Sequence, residues 1–148
     1  MRVSTKFRYG LRAILDIAMN SSADAPVLVK DIAHRQGISQ KYLENLLVSL
    51  KNAGLLRSLR GAKGGYVLLK PPDKIAIEEI AVALEGPPDL IDCVSDPSIC
   101  PMSNSCATNQ FWRDMAEVLR DFMKKRTVKD LIENYQDRRN KESLMYYL

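Results

Sequence analysis

The sequence predicts a mainly α-helical fold that carries one small β-hairpin, and three observations lead to it. Apolar residues recur at helical spacing in most segments. Two short strand-like runs flank a stretch of six residues that contains three glycines. A long amphipathic segment follows the last cysteine, Cys106. With 148 residues and a hydrophobic content of 46%, the chain can form one compact core, with or without a small appended element.

The first helix is predicted over residues 5–20. Its cap is Ser4 or Thr5, because a hydroxyl group there can accept a hydrogen bond from the unpaired backbone N–H groups of the first turn. The apolar positions follow the spacing of a helix with one buried face: Phe7, Leu11, Ile14, Leu15 and Ala18. A small polar loop, residues 20–25, separates this helix from the next one.

Two further helices are predicted with a tight turn between them. The earlier one spans residues 29–36 and stops at Gly37, since glycine readily takes the left-handed conformation that ends helices. Ser39 caps the later one, which ends at Gly54. This helix has an apolar stripe at helical spacing: Leu43, Leu46, Leu47 and Leu50.

A hairpin and a fourth helix complete the first half of the chain. Strand-like runs at residues 55–59 and 66–69 enclose the glycine-rich tip. After Pro71-Pro72-Asp73 breaks the chain, a helix is predicted over about residues 75–85. We assign residues 1–85 to a winged helix-turn-helix. This fold has the same order of elements: a helix, a short helix, a tight turn, a capped helix and a glycine-rich hairpin.

The second half of the chain has a different character. Residues 86–105 contain four prolines and no periodicity, and loops of that length are usually functional or disordered. This segment carries two of the cysteines, and the third follows it directly. We assign residues 106–135 to a long helix and a short final helix capped by Thr127, and residues 136–148 to a polar tail.

Charge and motifs limit the class of protein. The net charge of +4 attracts polyanions, either nucleic acid or an anionic membrane. No stretch approaches the roughly 20 apolar residues that cross a bilayer, and residues 1–5 lack the apolar core of a signal peptide, so we expect a cytoplasmic protein. An HExxH motif and a glycine-rich phosphate loop are both absent, so the sequence does not predict an enzyme.

The helix that Ser39 caps is the predicted reader of double-stranded DNA. Asn can pair with adenine, Lys with guanine and Glu with cytosine, and these residue types occupy its polar face. The hairpin tip offers basic residues to the minor groove or to phosphate, and the first helix offers others to the DNA backbone. For any single basic residue, a solvated surface charge is an equally good interpretation. The predicted DNA-binding residues are Lys6, Tyr9, Arg12, Ser39, Gln40, Lys41, Tyr42, Glu44, Asn45, Arg60 and Lys63.

The three cysteines have the spacing Cys93-x6-Cys100-x5-Cys106. In a reducing compartment, such a cluster indicates a metal site rather than a disulfide framework. Thiolates suit soft metals and iron–sulphur clusters, whereas zinc usually takes four ligands and often uses CxxC pairs, which do not occur here. Zinc binding and thiols that stay free or pair under oxidation are the alternatives. An electron-transfer protein could use the same cysteines but would not need a winged helix.

Several separate motifs resemble the Rrf2 family of bacterial winged-helix transcription regulators, and its IscR-like members in particular. They are Thr5–Leu11, Gln36–Ser39, Tyr42–Glu44, Arg60-Gly61, Gly64–Tyr66, the cysteine loop and Phe111–Asp114. The match covers about residues 1–133. It implies a homodimeric regulator on a palindromic operator, with Glu44, Asn45 and Arg60 at the DNA. It also implies that the helix after Cys106 is a dimerisation helix, which contacts its partner through Phe111, Trp112, Met115, Leu119 and Phe122.

The resemblance further implies an iron–sulphur cluster that the three cysteines hold. The IscR-like members favour a 2Fe–2S cluster, and the NsrR-like members offer a 4Fe–4S cluster as the alternative. The first cysteine gap here is one residue longer, and Asn109 stands where IscR-like proteins have a histidine ligand. The fourth ligand is therefore open among Asp92, Asp96, another oxygen ligand, a partner-chain residue or an external thiol. The alternative function is a cluster-free, CymR-like regulator controlled by a partner protein or by thiol redox state.

Overall fold

The computed structural model describes residues 3–22, 25–61, 63–87 and 89–145, and it confirms a mostly helical fold with a two-stranded hairpin. Parts of the predicted first loop, hairpin tip, proline-rich segment and tail lie outside the described residues. Across the described ranges, no helix is both long and apolar enough to cross a membrane. The elements are α1 (Thr5–Asn20), α2 (Val29–Gln36), α3 (Gln40–Asn52), β1 (Leu56–Leu59), β2 (Gly65–Leu68), α4 (Ile77–Glu85), α5 (Asp92–Ser95), α6 (Asn109–Lys124) and α7 (Val128–Met145).

The main core lies where α1, α3 and α4 pack together. Every residue of the predicted α3 stripe is buried, and so is Ile14 of α1. Burying a side chain of this size stabilises the fold by about 1.5–3 kcal/mol. Gly10 lets α1 approach α4 closely, because a Cβ atom at this position would lie 2.2 Å from Leu84 Cδ1. The close packing of these three helices gives α3 a rigid base.

The helix ends that the sequence predicted around α3 are confirmed. Gly37 ends α2 with a φ of 64°, in the left-handed region. The Ser39 hydroxyl accepts a hydrogen bond of 3.2 Å from the backbone N–H of Tyr42. At the start of the chain, Ser4 rather than Thr5 is the cap of α1, since its hydroxyl accepts from the N–H of Phe7 at 3.0 Å. These caps fix where α3 begins relative to α2.

The wing is an antiparallel pair in which Leu56 faces Leu68 and Leu59 faces Gly65. The strands begin and end within one residue of the predicted limits. A third segment joins them, because Val27 and Tyr66 exchange two backbone hydrogen bonds of 2.9 and 3.0 Å. The sequence did not predict this pairing, since a single paired residue leaves no periodic pattern. It ties the wing to the start of α2.

The fourth helix begins two residues later than predicted, at Ile77 rather than Ile75. The residues before it are extended and pair with the segment before α7. The N–H of Val128 donates to the carbonyl of Ile75 at 3.0 Å, and the N–H of Ile77 donates to the carbonyl of Arg126 at 2.9 Å. Apolar periodicity could not show this pairing, because it joins residues fifty positions apart.

The second half of the chain contains more helix than predicted. Within the segment expected to be irregular, α5 and a 3₁₀ turn at Pro97–Ile99 form. The last helix does not stop near Tyr135 but continues to Met145, so most of the predicted tail is helical. The residues after Tyr135 include good helix formers and neither glycine nor proline, and those described to residue 141 are exposed. A helix without a buried face leaves no apolar stripe to predict it.

Candidate nucleic-acid interface and cysteine segment

The first two turns of α3 present an exposed polar surface. Gln40, Lys41, Glu44 and Asn45 are all exposed, as a base-reading face requires. The Gln40 amide donates to Glu44 Oε1 at 2.9 Å, so these two side chains hold each other in place. Ser39 uses its hydroxyl in the helix cap, where it accepts from the backbone.

The first helix lies beside this surface. The rings of Tyr9 and Tyr42 meet edge to face with centroids 6.2 Å apart, and both residues are half-buried. The guanidinium group of Arg8 lies over the Tyr9 ring at 5.0 Å, while Lys6 is exposed nearby in sequence. The structure therefore brings the predicted residue Tyr9 next to Tyr42 at the start of α3.

Arg12 makes contacts within the protein that the sequence did not predict. Its Nε donates to Gln36 Oε1 at 2.8 Å, and its Nη2 donates to the Gln36 carbonyl at 2.9 Å. The Gln36 amide in turn donates at 2.8 Å to the buried carboxylate of Asp16, which also accepts two hydrogen bonds from Arg35 Nε and one from Arg35 Nη2. Hydrogen bonding to Asp16 raises the pKa of the Arg35 guanidinium. This network fixes the end of α2 against α1.

A groove of about 450 Å³ separates the start of α3 from the wing. Its walls include Lys30 of α2 and Ser58 of β1, two residues that the sequence analysis missed. Neither belongs to a motif, and tertiary packing alone brings them beside Gln40. The predicted wing residues Arg60 and Lys63 are exposed near the hairpin tip. The candidate interface therefore includes groove residues outside the predicted set.

Tyr66 of β2 lines the same groove as Gln40 of α3. Burial raises the pKa of the Tyr66 hydroxyl, and the negative charge of Glu44 raises it further. The hydroxyl therefore stays protonated at physiological pH and keeps its ability to donate a hydrogen bond. The charge of Glu44 on α3 therefore acts on Tyr66 of the wing.

The three cysteines are distributed along the cysteine segment, residues 89–108, which leads into α6. Cys93 lies in α5, Cys100 follows the 3₁₀ turn, and Cys106 precedes α6, and all three are half-buried. Within the described ranges, no set of three or more metal-ligating side chains converges on one point. The donor set itself fits an iron–sulphur cluster, because it consists of three soft thiolates within 14 residues.

Cys106 has the most distinctive environment of the three thiols. Its sulphur lies 3.3 Å from Thr108 Oγ1. Hydrogen bonds from the hydroxyl and then from the backbone of Thr108 lower the pKa of the Cys106 thiol. A lowered pKa favours the thiolate, which is the form that binds metals.

Asp96, a candidate fourth ligand, and Asn109 both have side chains that form hydrogen bonds within the protein. The Asp96 carboxylate accepts from the backbone N–H and the hydroxyl of Ser98, and these bonds lower the pKa of Asp96. Asn109 is buried, and its amide oxygen accepts from Arg113 Nε at 2.7 Å while its amide nitrogen donates to Ser103 Oγ at 3.3 Å. Both polar atoms of Asn109 are thus used inside the protein.

The predicted dimer face of α6 is largely uncovered in the single chain. Phe111, Val118 and Phe122 are 56%, 71% and 59% exposed, while Trp112 and Met115 are half-buried and Leu119 lies between these two sets. The rings of Phe111 and Trp112 meet edge to face at 5.0 Å. The opposite face of α6 buries Ala116 and Met123, and the helix packs against α4.

Known proteins are similar to this chain over both the candidate nucleic-acid interface and the cysteine segment. The Rrf2 family, described as an iron-dependent transcriptional regulator, matches residues 3–134. The regulator IscR of Erwinia tasmaniensis is 37% identical over 97% of this chain and 89% of its own length. IscR of Escherichia coli O1:K1 / APEC is 39% identical over 92% of this chain and 83% of its own length. Both relatives are named HTH-type transcriptional regulators.

Solved structures agree with this match. CymR (YrzC), described as the global cysteine regulator of B. subtilis, superposes with a TM-score of 0.74 at 34% identity, over 90% of this chain and 98% of that one. IscR of T. potens superposes with a TM-score of 0.73 at 32% identity, over 91% and 88% of the two chains. The winged helix-turn-helix fold predicted from the sequence is confirmed. The chain belongs to the Rrf2 family and is a DNA-binding transcription regulator, not an enzyme.

Proposed function

We propose that this regulator acts as a homodimer whose DNA binding is modulated by an iron–sulphur cluster held by Cys93, Cys100 and Cys106. One observation carries the proposal: the cysteine segment is attached to α6, the helix whose apolar face is uncovered in the single chain. A change in the segment would therefore act on the surface where a second copy binds.

The apolar face of α6 supports dimerisation. Three of its large side chains, Phe111, Val118 and Phe122, are more than half exposed, although they repeat at the spacing of one helical face. Aromatic side chains gathered on one surface are typical of protein–protein interfaces. A second copy of this chain supplies a matching apolar helix, because a twofold interface buries the same surface on both partners. The same arrangement would place two α3 helices about 34 Å apart on a palindromic operator.

Two contacts link the cysteine segment to α6. Arg120 of α6 donates to the half-buried carboxylate of Asp89 at 3.2 Å, near the start of the segment. Near its end, Asn109 of α6 donates to Ser103. When bound, the cluster would supply electron-transfer or ligand-exchange chemistry at its irons. Binding would order residues 93–106 along α6 and would thereby set the spacing or tilt of the two DNA-binding heads.

A second candidate function is regulation by thiol redox state or by a partner protein, without a cluster. The resemblance to CymR of B. subtilis favours it, and so does the match to an oxidised form of CymR from Staphylococcus aureus at 38% identity and a TM-score of 0.70. The half-buried thiols of this chain are accessible enough to react. In this case the metal-free protein would bind its operator fully.

The test is the visible absorption spectrum of protein purified without oxygen, with iron and sulphide counted per chain. We expect absorbance in the region of about 400 nm and matched iron and sulphide, because thiolate-bound clusters absorb there. The variant with Cys93, Cys100 and Cys106 all changed to Ala should be colourless, and its DNA binding should no longer respond to iron or oxygen. If the wild-type protein is colourless and binds its operator fully, the cluster proposal is wrong and regulation by thiol redox state or by a partner protein is supported.

A further inference from the structure

We infer that Asn109 is a positioning residue that holds the two ends of the cysteine segment together and so prearranges Cys93 and Cys106 for a shared ligand. The inference deepens the proposed function and rests on it for the identity of that ligand. The arrangement consists of hydrogen bonds that pass from α6 through Asn109 and Ser103 to Cys93. We refer to these bonds as the Asn109 relay.

The two bonds of the relay join residues six and ten positions apart, and a local backbone bond links the relay to Cys106. The Asn109 side chain donates to Ser103 Oγ at 3.3 Å, and the Ser103 hydroxyl donates to the carbonyl of Cys93 at 3.2 Å. The backbone N–H of Asn109 donates to the carbonyl of Cys106 at 3.2 Å. A single residue at the start of α6 therefore connects, directly or through one hydroxyl, to the first and the last cysteine.

The surroundings of the relay set it apart from surface hydrogen bonds. Ser103 and Asn109 are 6% and 8% exposed, while most of the segment around them is exposed. Arg113, one turn further along α6, donates from Nε to Asn109 Oδ1 at 2.7 Å and orients the amide so that its nitrogen faces Ser103. A buried hydrogen bond is costly to leave unmade, so these residues keep their positions when the thiols are unoccupied.

The relay explains what Asn109 does at the place where IscR-like proteins have a histidine ligand. Its oxygen and its nitrogen both have side-chain partners, so Asn109 acts through the Ser103 hydroxyl on the carbonyl of Cys93 rather than on a metal. A ligand that needs the thiolates of both Cys93 and Cys106 would otherwise have to close this part of the chain itself. Holding the ends together beforehand increases the affinity for such a ligand.

The experiment measures Cd²⁺ binding by the reduced, metal-free, full-length protein, through the ultraviolet absorbance of thiolate–Cd²⁺ bonds in competition with a chelator. Asn109→Ala and Ser103→Ala should each weaken Cd²⁺ binding by about five- to tenfold, the worth of roughly one net hydrogen bond. The double variant should be no weaker than the weaker single variant, because both changes break one relay. Ser103→Thr keeps the hydroxyl and should restore binding to within about twofold of the wild type.

Two controls separate the relay from general loss of structure. Asn104→Ala changes an exposed amide in the same segment and should leave the affinity for Cd²⁺ unchanged. The absorbance at saturation should be equal in all variants, because all three thiols are still present. Unchanged Cd²⁺ affinity in Asn109→Ala, or additive losses in the double variant, would overturn the inference.

The outcome is distinguishable from failure of the proposed function. The wild-type protein could take up no iron while its Cd²⁺ affinity depends on Asn109 as described. That result would support the relay and contradict the cluster proposal. A protein that assembles its cluster and whose Cd²⁺ affinity is indifferent to Asn109 would support the cluster and remove the relay.

Discussion

The winged-helix head, residues 3–85, and the cysteine arm, residues 89–124, differ in how much of their apolar surface one chain buries. The head supplies most of the main core, to which the arm contributes Met123 and α7 contributes Val128. The arm leaves Ile99 and Met102 59% and 65% exposed, together with the aromatic face of α6. A head that is complete in one chain and an arm that is not complete indicate a division of labour. The head holds most of the buried apolar side chains, and the arm leaves an apolar surface that a partner could cover.

The largest expected effect tests the stability of the head. Leu47 of α3 is fully buried, and Leu47→Ala should lower the free energy of unfolding by about 2–5 kcal/mol, because it removes packing and leaves a cavity. Val118→Ala on α6 changes a side chain that is 71% exposed and should stay within about 0.5 kcal/mol at protein concentrations where the chain is monomeric. Urea unfolding measures both values. Equal losses in the two variants would contradict the comparison.

The same contrast explains how much of the structure the sequence could predict. In the head, burial is periodic, so the apolar stripe from Leu43 to Leu50 could be predicted from the sequence. The caps at Ser39 and Gly37 could be predicted from residue type, and the helices lie where expected. The Val27–Tyr66 pairing could not be predicted, because two backbone hydrogen bonds between distant residues leave no pattern in the sequence. The groove residues Lys30 and Ser58 were missed for the same reason.

In the arm, the residue types predicted the kind of site, but the contacts between side chains could not be predicted from the sequence. The three thiols and the amphipathic α6 could be read from spacing alone. The role of Asn109 could not, because an asparagine in place of a histidine indicates only that a ligand is missing. The hydrogen bonds to Ser103 and Arg113 depend on how the segment folds back on α6. The length of α7 was also hidden, since exposed helix carries no apolar stripe.

The next largest effect tests whether a second copy covers α6. Phe122→Glu places a charge at the C-terminal end of the exposed apolar face and should raise the dimer dissociation constant by about 100-fold, the loss of a strong interface contact. The matched control is Val48→Glu on α3, where an apolar side chain is 50% exposed outside this face. Light scattering over a range of concentrations measures both. Dimers of equal strength in the two variants would place the interface elsewhere.

A smaller effect tests whether the wing is a rigid part of the head. A Cβ atom at Gly65 would lie 2.3 Å from the carbonyl oxygen of Val27, so Gly65→Ala should cost about 1–3 kcal/mol of stability. It should also accelerate hydrogen exchange at the Tyr66 amide, which donates to Val27. The control Ser58→Ala, on the neighbouring strand, should stay within about 0.5 kcal/mol. Slow exchange at Tyr66 in Gly65→Ala would show that the Val27 pairing does not hold the wing.

The smallest effect separates charges that bind DNA from charges that hold the head together. Arg60 is exposed at the wing, whereas Arg12 donates two hydrogen bonds to Gln36. Arg60→Ala should reduce the slope of log affinity against log salt by about 0.9, because one phosphate contact no longer releases a counterion. Arg12→Ala should leave this slope nearly unchanged and instead lower the free energy of unfolding by about 0.5–1.5 kcal/mol, the net contribution of a typical hydrogen bond. The slope is measured on one operator fragment at several salt concentrations, with urea unfolding in parallel. If the slope falls equally for both variants, Arg12 contacts the DNA backbone, as its place on α1 predicted. Its hydrogen bonds to Gln36 would then break when DNA binds.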